Sequence, residues 1–262
     1  MKNSLKLEHW QEYLIEAIAL GFLMVCIGIY ATILESPSSP IHEAIASPLL
    51  RRVCMGICIC FTLIGIIYSP WGKKSGAHTN PAFSLALFRL RKMTGKDAIF
   101  YAVSQFVGGT LGVFLISQLL GDLYTNPPIQ YTVTIPNNLG WPIAFIVELC
   151  LSFGLMVMVL FLMNTPRFYS QVGIFVGILV AIYIVIAAPI TGMSINPART
   201  FASALPAGIW TDIWVYFLAP PLGMLLGAEL YLYLSCRRLK SICVKYCKET
   251  PTRCIKPRHE TV

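Results

Sequence analysis

The sequence predicts an all-α integral membrane protein with six transmembrane helices and two re-entrant half-helices, arranged as an inverted 3+3 repeat. Three observations carry this prediction. Hydrophobic residues make up 56% of the 262 residues and charged residues only 12%, which is about half the charged share of a soluble domain. Six apolar stretches are long enough to cross a bilayer. A polar Asn-Pro-Ala phrase occurs twice, at Asn80 and at Asn196.

The apolar stretches match the length of about 17–25 residues that a helix needs to span a bilayer. They cover residues 12–34, 50–69, 98–120, 142–163, 172–190 and 213–234. The first stretch is too long, and too weakly preceded by charge, to be a cleaved signal peptide, so we expect it to remain in the mature chain. We predict one integral membrane domain.

Positive residues concentrate on one side of the predicted domain. That side carries both chain ends and the loops after the second and fourth spans, which hold every Lys and Arg except Arg51, Arg52 and Arg199. The bias follows the positive-inside rule and predicts a cytoplasmic N-terminus (1–11) and a basic cytoplasmic tail (235–262). The net charge of +8 is therefore a topology signal and a contact for anionic lipid, and we expect no nucleic-acid partner.

The nine cysteines do not form a disulfide framework. Five lie inside apolar spans, where Cys behaves as a small hydrophobe. The others lie at or beyond the end of the last span, on the reducing side. This tail contains Cys236, Cys243, Cys247, Cys254 and His259. Their spacing lacks the close Cys pairs of zinc knuckles, so we predict no metal site, and we expect no cofactor.

The chain divides into two repeats of three spans each. The first covers residues 12–120 and the second residues 142–234, and an external loop at 121–141, rich in Pro, Asn and Thr, connects them. Each repeat opens with a span that carries one carboxylate, Glu16 or Glu148. Because three is odd, the second repeat must be inserted upside down. Inverted repeats with matched interruptions indicate a substrate path at their interface.

The Asn-Pro-Ala phrases are helix starts, because Asn is a favoured N-cap and Pro a favoured first helical residue. They predict half-helices over 80–90 and 196–205, each too short to cross the membrane. We expect these half-helices to enter from opposite faces and to meet through their N-termini at the midplane. The residues before each phrase then form extended backbone at membrane depth, which is tolerated only inside protein or beside a water-filled cavity.

Two helix N-termini that face one point place about half a positive charge each beside it. The amides of Asn80 and Asn196 can donate hydrogen bonds to a passing oxygen, whereas a cation or a proton meets an electrostatic barrier. The sequence contains no ATP-binding motif and no paired midplane carboxylates. We therefore predict a passive channel for a small neutral molecule.

The phrases SGAHTNPA at 75–82 and GMSINPAR at 192–199, together with Glu16 and Glu148 at matching places, resemble those of the aquaporin (major intrinsic protein) family. The resemblance covers about residues 10–235. It implies a channel rather than an enzyme, and a homotetramer with one pore per subunit.

The resemblance also assigns roles to individual residues. It places six residues at the pore centre, namely Asn80, Pro81, Ala82, Asn196, Pro197 and Ala198. It places backbone carbonyls along the path at Gly76, Ala77, His78, Gly192 and Ser194. It implies that Glu16 and Glu148 accept hydrogen bonds from the re-entrant loops rather than carry protons. A pH response through the ring of His78 stays open.

The resemblance places the narrow outer part of the pore around Arg199, which directly follows the second triplet. Spacing adds Met193 and Ile184, and from the second span Cys60, or Ile59 if the loop has one extra residue. Water-selective members tend to have an aromatic residue in the second span and a His in the fifth, and this chain has neither there. The predicted selectivity filter is therefore one Arg among aliphatic and sulfur side chains.

Water is the predicted permeant. Thr200 and Ala204 occupy positions where glycerol-conducting members usually have an Asp and a basic residue, and Tyr216 and Phe217 are bulky as in water channels. The alternative is a wider channel for small neutral solutes such as glycerol, ammonia or hydrogen peroxide, because the filter lacks aromatic rings.

Two other classes of function fit the sequence less well. An intramembrane enzyme built on Glu16, Glu148 and His78 lacks an H-E-x-x-H or G-x-S-x-G motif. A role as a membrane scaffold would not explain why the two re-entrant segments are polar. We expect an integral cell membrane protein that contacts lipid, and the absence of an N-glycosylation acceptor favours the bacterial inner membrane.

Overall fold

The computed structural model describes residues 9–236, and this range contains eleven α-helices and no strand. The helices are α1 (Trp10–Glu35), α2 (Pro40–Ala44), α3 (Pro48–Tyr68), α4 (Pro70–Ser75), α5 (Pro81–Arg89), α6 (Gly95–Leu120), α7 (Asp122–Thr125), α8 (Gly140–Met163), α9 (Val172–Thr191), α10 (Pro197–Ala207) and α11 (Ile213–Cys236). The predictions for the basic tail beyond Cys236, for its three other cysteines and for its lipid contact fall outside the described residues.

Six of the described helices, α1, α3, α6, α8, α9 and α11, are long and apolar enough to cross a membrane. They coincide with the six predicted spans to within three residues at each end. The largest difference is the start of α6, which begins at Gly95 because Thr94 caps it: the Thr94 side chain accepts a hydrogen bond from the Asp97 N–H at 3.1 Å. The predicted all-α membrane fold is confirmed.

The two short helices α5 and α10 begin where the sequence predicts. The Asn80 side chain accepts from the Ala82 N–H at 2.9 Å, and the Asn196 side chain accepts from the Ala198 N–H at 3.0 Å. Helix α10 ends two residues later than predicted, at Ala207, because Pro206 stays in its last turn, and its C-cap is Gly208, whose φ of 67° is left-handed.

The two repeats pack in corresponding ways. The first span of each repeat packs most closely on the last span of the same repeat, α1 on α6 and α8 on α11. Each half-helix packs against the last span of the other repeat, α10 on α6 and α5 on α11, while α3 packs on α9 across the repeat interface. This exchange agrees with the predicted inverted arrangement and brings both half-helices to the centre of the molecule.

Glycines at equivalent places allow the spans of each repeat to approach closely. A Cβ on Gly108 of α6 would lie 2.0 Å from the carbonyl oxygen of Ala17, and one on Gly223 of α11 would lie 2.3 Å from that of Leu149. Because no side chain fits there, backbone meets backbone, as is common at helix interfaces in lipid.

Arg51, which departs from the charge bias, has a structural explanation. Its side chain is buried, forms a 3.1 Å ion pair with Glu35 and donates to the carbonyls of Ile45 and Ala46. The ion pair joins the first turn of α3 to the end of α1 and neutralises the charge of Arg51, which therefore has little effect on the topology signal.

We expect Gly108→Ala to destabilise the protein, because the added methyl group would push α6 away from α1. Overpacking of this kind costs about 1–3 kcal/mol, so the unfolding temperature in detergent should fall by several degrees in a thermal melt. Gly65→Ala is the matched control, since a Cβ at this helical position meets nothing within 4 Å. Equal melting temperatures for the two variants would contradict the packing argument.

Candidate functional site

The N-termini of the two half-helices are joined by their capping residues. The Asn80 side-chain amide donates to the Ile195 carbonyl, and the Asn196 amide donates to the Thr79 carbonyl, each at 2.7 Å. Sequence reasoning left both amides free, whereas each in fact uses one N–H to tie one loop to the other. Because a side-chain amide has two N–H groups, one donor on each Asn is still available to a permeant.

Glu16 supports the first re-entrant loop from a fully buried position in α1. Its carboxylate accepts from the Ser75 hydroxyl at 2.7 Å, from the His78 N–H at 2.9 Å and from the Thr79 N–H at 2.6 Å. The loop backbone has no helical partner for these donors, so the carboxylate satisfies groups that would otherwise be buried without a hydrogen bond.

Glu148 repeats the arrangement in the second loop and is also fully buried. It accepts from the Thr191 hydroxyl at 2.7 Å, from the Ser194 N–H at 2.9 Å and from the Ile195 N–H at 2.6 Å. The distances equal those at Glu16. This geometry agrees with the loop-supporting role that the resemblance implied.

These hydrogen bonds also orient the loop carbonyls. In a trans peptide the C=O points away from the N–H. Since the N–H groups of His78 and Thr79 point at Glu16, the carbonyls of Ala77 and His78 point away from it, toward the cavity between the repeats. The same reasoning applies to Met193 and Ser194, and the Met193 carbonyl is one that sequence reasoning omitted.

Two tyrosines on the last spans support the start of each loop, and sequence reasoning missed this role. The Tyr101 hydroxyl donates to the Ser75 carbonyl at 2.7 Å, and the Tyr216 hydroxyl donates to the Thr191 carbonyl at 2.6 Å. Their matching positions in the two repeats were the available signal. Tyr216 is fully buried and, like Phe217, is not among the cavity-lining residues, so neither bears directly on pore width.

A cavity of about 260 Å³ lies at the repeat interface. Its lining includes both capping Asn residues and, from the predicted carbonyl set, Gly76, Ala77, His78, Gly192 and Ser194. Ile66 and Ile67, near the end of α3 on the side of the chain termini, line one part, and Arg199 lines the other. The cavity therefore extends on both sides of the Asn pair.

The remaining residues of the two triplets serve the half-helices rather than the cavity lining. Ala82, Pro197 and Ala198 are buried in the first turns, and Pro81 begins α5. None of these four is among the lining residues. Of the six triplet residues, only the two Asn side chains therefore meet the cavity.

Arg199 shares the lining of this cavity with Met193, Ile184 and Ile59. Cys60 is not among the lining residues, and the choice of Cys60 over Ile59 is therefore corrected. A Cβ at Gly177 would lie 2.9 Å from the Cys60 Sγ, so this side chain faces α9. One residue along a helix is a rotation of about 100°, which takes Cys60 off the face that carries Ile59.

Arg199 is held by the loop that connects the two repeats. Its guanidinium Nη1 donates to the Thr132 carbonyl at 2.9 Å, and its backbone N–H bonds the Asn196 side chain at 3.3 Å. Thr200, next in the chain, is buried, and its hydroxyl contacts those of Thr134 and Ser194. The loop was predicted only as an external connection.

The first repeat has aromatic side chains at the positions that correspond to Arg199 and its surroundings in the second repeat. His78 is buried, its Nδ1 lies 3.0 Å from the Ser84 hydroxyl, and its ring packs edge-on against Phe83. Phe83, three residues after Asn80 as Arg199 is three after Asn196, also lines the cavity. The two ends of the cavity therefore differ in charge and in side-chain type.

Comparison with known proteins agrees with this geometry. The model of the major intrinsic protein family matches residues 3–231. The chain belongs to the major intrinsic protein family. Members of this family are membrane channels rather than enzymes, which supports the prediction that the chain is not an enzyme.

Aquaporins of plants and mammals are among the similar proteins. The chain is 31% identical over 173 residues to aquaporin NIP2-2 of Zea mays, across 66% of this chain and 57% of that protein. It is 29% identical over 255 residues to aquaporin-4 of Bos taurus, across 92% and 76% of the two chains. The matched region thus spans little more than half of the maize relative. The expected bacterial origin stays a prediction.

Among solved structures, the X-ray structure of the aquaglyceroporin from Plasmodium falciparum superposes with a TM-score of 0.72. Sequence identity is 21%, and the match covers 87% of this chain and 98% of that chain. At this identity the comparison establishes a shared fold, which is the major intrinsic protein fold that the sequence predicted.

We expect Glu148→Gln to impair the channel, because the new amide group would direct hydrogens at backbone N–H donors. Leaving charged-group hydrogen bonds unmade should lower water permeability per folded protein about tenfold, measured by light scattering of proteoliposomes. Ser152→Ala, one turn further along α8, is the control, since this buried hydroxyl has no partner within the described residues. Undiminished permeability in Glu148→Gln would contradict the supporting role.

Proposed function

We propose that this chain is a passive channel that conducts water while excluding ions and protons. The observation that carries the proposal is the convergence of two Asn-capped helix N-termini on one cavity that both repeats line. Two partial positive charges meet there, and Arg199 adds a full charge on one side. A cation crossing the cavity loses its water without gaining a counter-charge.

Proton exclusion follows from the hydrogen bonds at the Asn pair. The nearest loop carbonyls, those of Thr79 and Ile195, already accept from the two side-chain amides. A water oxygen between the amides therefore meets donors from Asn80 and Asn196, and its own hydrogens point away along the cavity. This orientation interrupts the continuous donor-to-acceptor chain that a proton relay requires.

Passage of small neutral solutes is the alternative proposal. Ile59, Ile184 and Met193 line the same cavity as Arg199, and their aliphatic and sulfur side chains support the proposal of a filter without an aromatic residue or a His. Aliphatic side chains leave more room than an aromatic ring and can contact the C–H groups of glycerol. Ammonia and hydrogen peroxide are smaller than glycerol and need less room. Pore diameter and lining donors decide between these permeants.

We further propose the assembly and location that are typical of the family: a homotetramer with one pore per subunit in the cell membrane, with both termini cytoplasmic. The distribution of Lys and Arg supports this orientation. Large apolar side chains exposed on the outer surface of the spans support contact with lipid or with other subunits. Cross-linking in membranes, followed by mass determination, tests the tetramer.

Stopped-flow light scattering of proteoliposomes separates the two permeants. Under a sucrose gradient we expect water efflux clearly faster than from protein-free liposomes. Under a glycerol gradient we expect no re-swelling beyond that of protein-free liposomes. Rapid re-swelling would favour the wider channel, and water efflux equal to that of protein-free liposomes would reject both proposals.

Replacing Asn196 by Asp tests the donor role of the caps. The carboxylate would repel the Thr79 carbonyl and offer acceptors where the proposal requires donors, so water permeability should fall roughly tenfold. Asn138→Asp makes the same chemical change at an exposed loop residue and should leave permeability unaltered. Equal permeability in the two variants would remove the central argument for the pore.

A further inference from the structure

The loop between the repeats presents a carbonyl to Arg199 through an unusual stretch of backbone. Gln130, Tyr131 and Thr132 all have positive φ, at 42°, 57° and 54°. Consecutive left-handed residues other than Gly are disfavoured and persist only where the surroundings hold them. The last of the three supplies the carbonyl that accepts from the guanidinium at 2.9 Å.

Tyr124 of α7 is the side chain that holds this stretch. Its hydroxyl donates to the Tyr131 carbonyl at 3.1 Å, and its ring packs edge-on against the Tyr131 ring at 5.6 Å between centroids. The Thr132 hydroxyl donates to the same carbonyl at 2.6 Å. The peptide that precedes the Arg199 acceptor is therefore fixed by two hydroxyl groups.

The Tyr124 ring is itself seated in the first repeat. The side chain is fully buried, and a Cβ on Gly28 of α1 would lie 3.1 Å from the Tyr124 ring and 3.1 Å from the Ile116 side chain of α6. The absence of a side chain at Gly28 thus makes room for the ring. Burial also raises the pKa of Tyr124 to about 12. The hydroxyl therefore stays protonated and donates its hydrogen bond throughout the physiological pH range.

The Thr132 carbonyl is the main partner that positions the guanidinium of Arg199. Within residues 9–236, no carboxylate lies within ion-pair distance of its guanidinium. Its backbone is fixed by α10, but the guanidinium stands at the end of a flexible side chain, so the position of the Thr132 carbonyl decides where the charge lies.

We propose that Tyr124 is a positioning residue for size selectivity, because it fixes the carbonyl that sets how far Arg199 reaches across the cavity. The inference rests on the proposed channel function and names a determinant of its selectivity. Loss of the hydroxyl frees the Tyr131–Thr132 peptide, lets the guanidinium withdraw and widens the passage beside Ile59 and Ile184.

The test compares wild type with Tyr124→Phe, which removes one oxygen and keeps the ring. Proteoliposomes are assayed for water and for a graded series of neutral solutes, namely formamide, urea and glycerol. We expect the solute-to-water permeability ratio to rise roughly fivefold, the factor that corresponds to the loss of one ordinary hydrogen bond. We also expect the largest conducted solute to increase in size. The ratio is the decisive readout, since a smaller folded fraction lowers both permeabilities equally.

Two further variants make the result specific. Tyr30→Phe is the matched control, because it removes a hydroxyl of α1 that contacts Thr62 and not the loop, and it should leave the ratio unchanged. Gly28→Ala should displace the Tyr124 ring and raise the ratio as Tyr124→Phe does, which provides a second route if that variant folds poorly.

The outcomes separate the inference from the proposed function. If wild type conducts water and both Tyr124→Phe and Gly28→Ala retain its ratio and its solute cut-off, the positioning role is overturned while the channel stands. If wild type conducts neither water nor any solute of the series above protein-free liposomes, the proposed function fails and the inference fails with it. A raised ratio in Tyr30→Phe as well would also overturn the assignment to Tyr124.

Discussion

Two buried carboxylates determine what the rest of the fold can do. Glu16 and Glu148 accept the N–H groups of loops that lie at membrane depth, where neither helix nor water supplies a partner on that side. By binding the N–H groups they turn the opposite carbonyls toward the cavity, so support and function come from the same hydrogen bonds. The half-helices then start where the loops end, and their caps can meet.

The two repeats support their re-entrant loops in the same way but differ in the side chains that follow these supports. The supports are identical in kind: a carboxylate, a hydroxyl one residue before the loop Gly, and a Tyr on the last span. The positions that follow them differ, with His78 matched to Ser194 and Phe83 to Arg199. The symmetry of the repeats therefore determines where the path runs. The residues that break the symmetry make the two ends of the path differ in charge.

Local signals explain how much of this was predictable from the sequence. Hydrophobic length marks each span, and Asn followed by Pro marks each half-helix start, so those elements were placed to within a few residues. Rotation about a helix axis has no such marker, and a one-residue difference moved the lining position from Cys60 to Ile59. The contact between Thr132 and Arg199 joins residues far apart in the chain, which no local pattern specifies.

The filter shows why that distant contact matters. Aliphatic lining residues such as Ile59 and Ile184 offer a permeant no hydrogen bonds, so a solute that sheds water beside them must recover its polar contacts from loop carbonyls and from Arg199. A guanidinium held by the Thr132 carbonyl can serve as a donor to water in the cavity. If the guanidinium withdraws, that donor is lost to water and a larger solute gains room. Selectivity in an apolar filter thus depends on how firmly the one charged side chain is held. Here Arg199 is held by the Thr132 carbonyl, and the backbone next to that carbonyl is held by Tyr124, which packs against the first repeat.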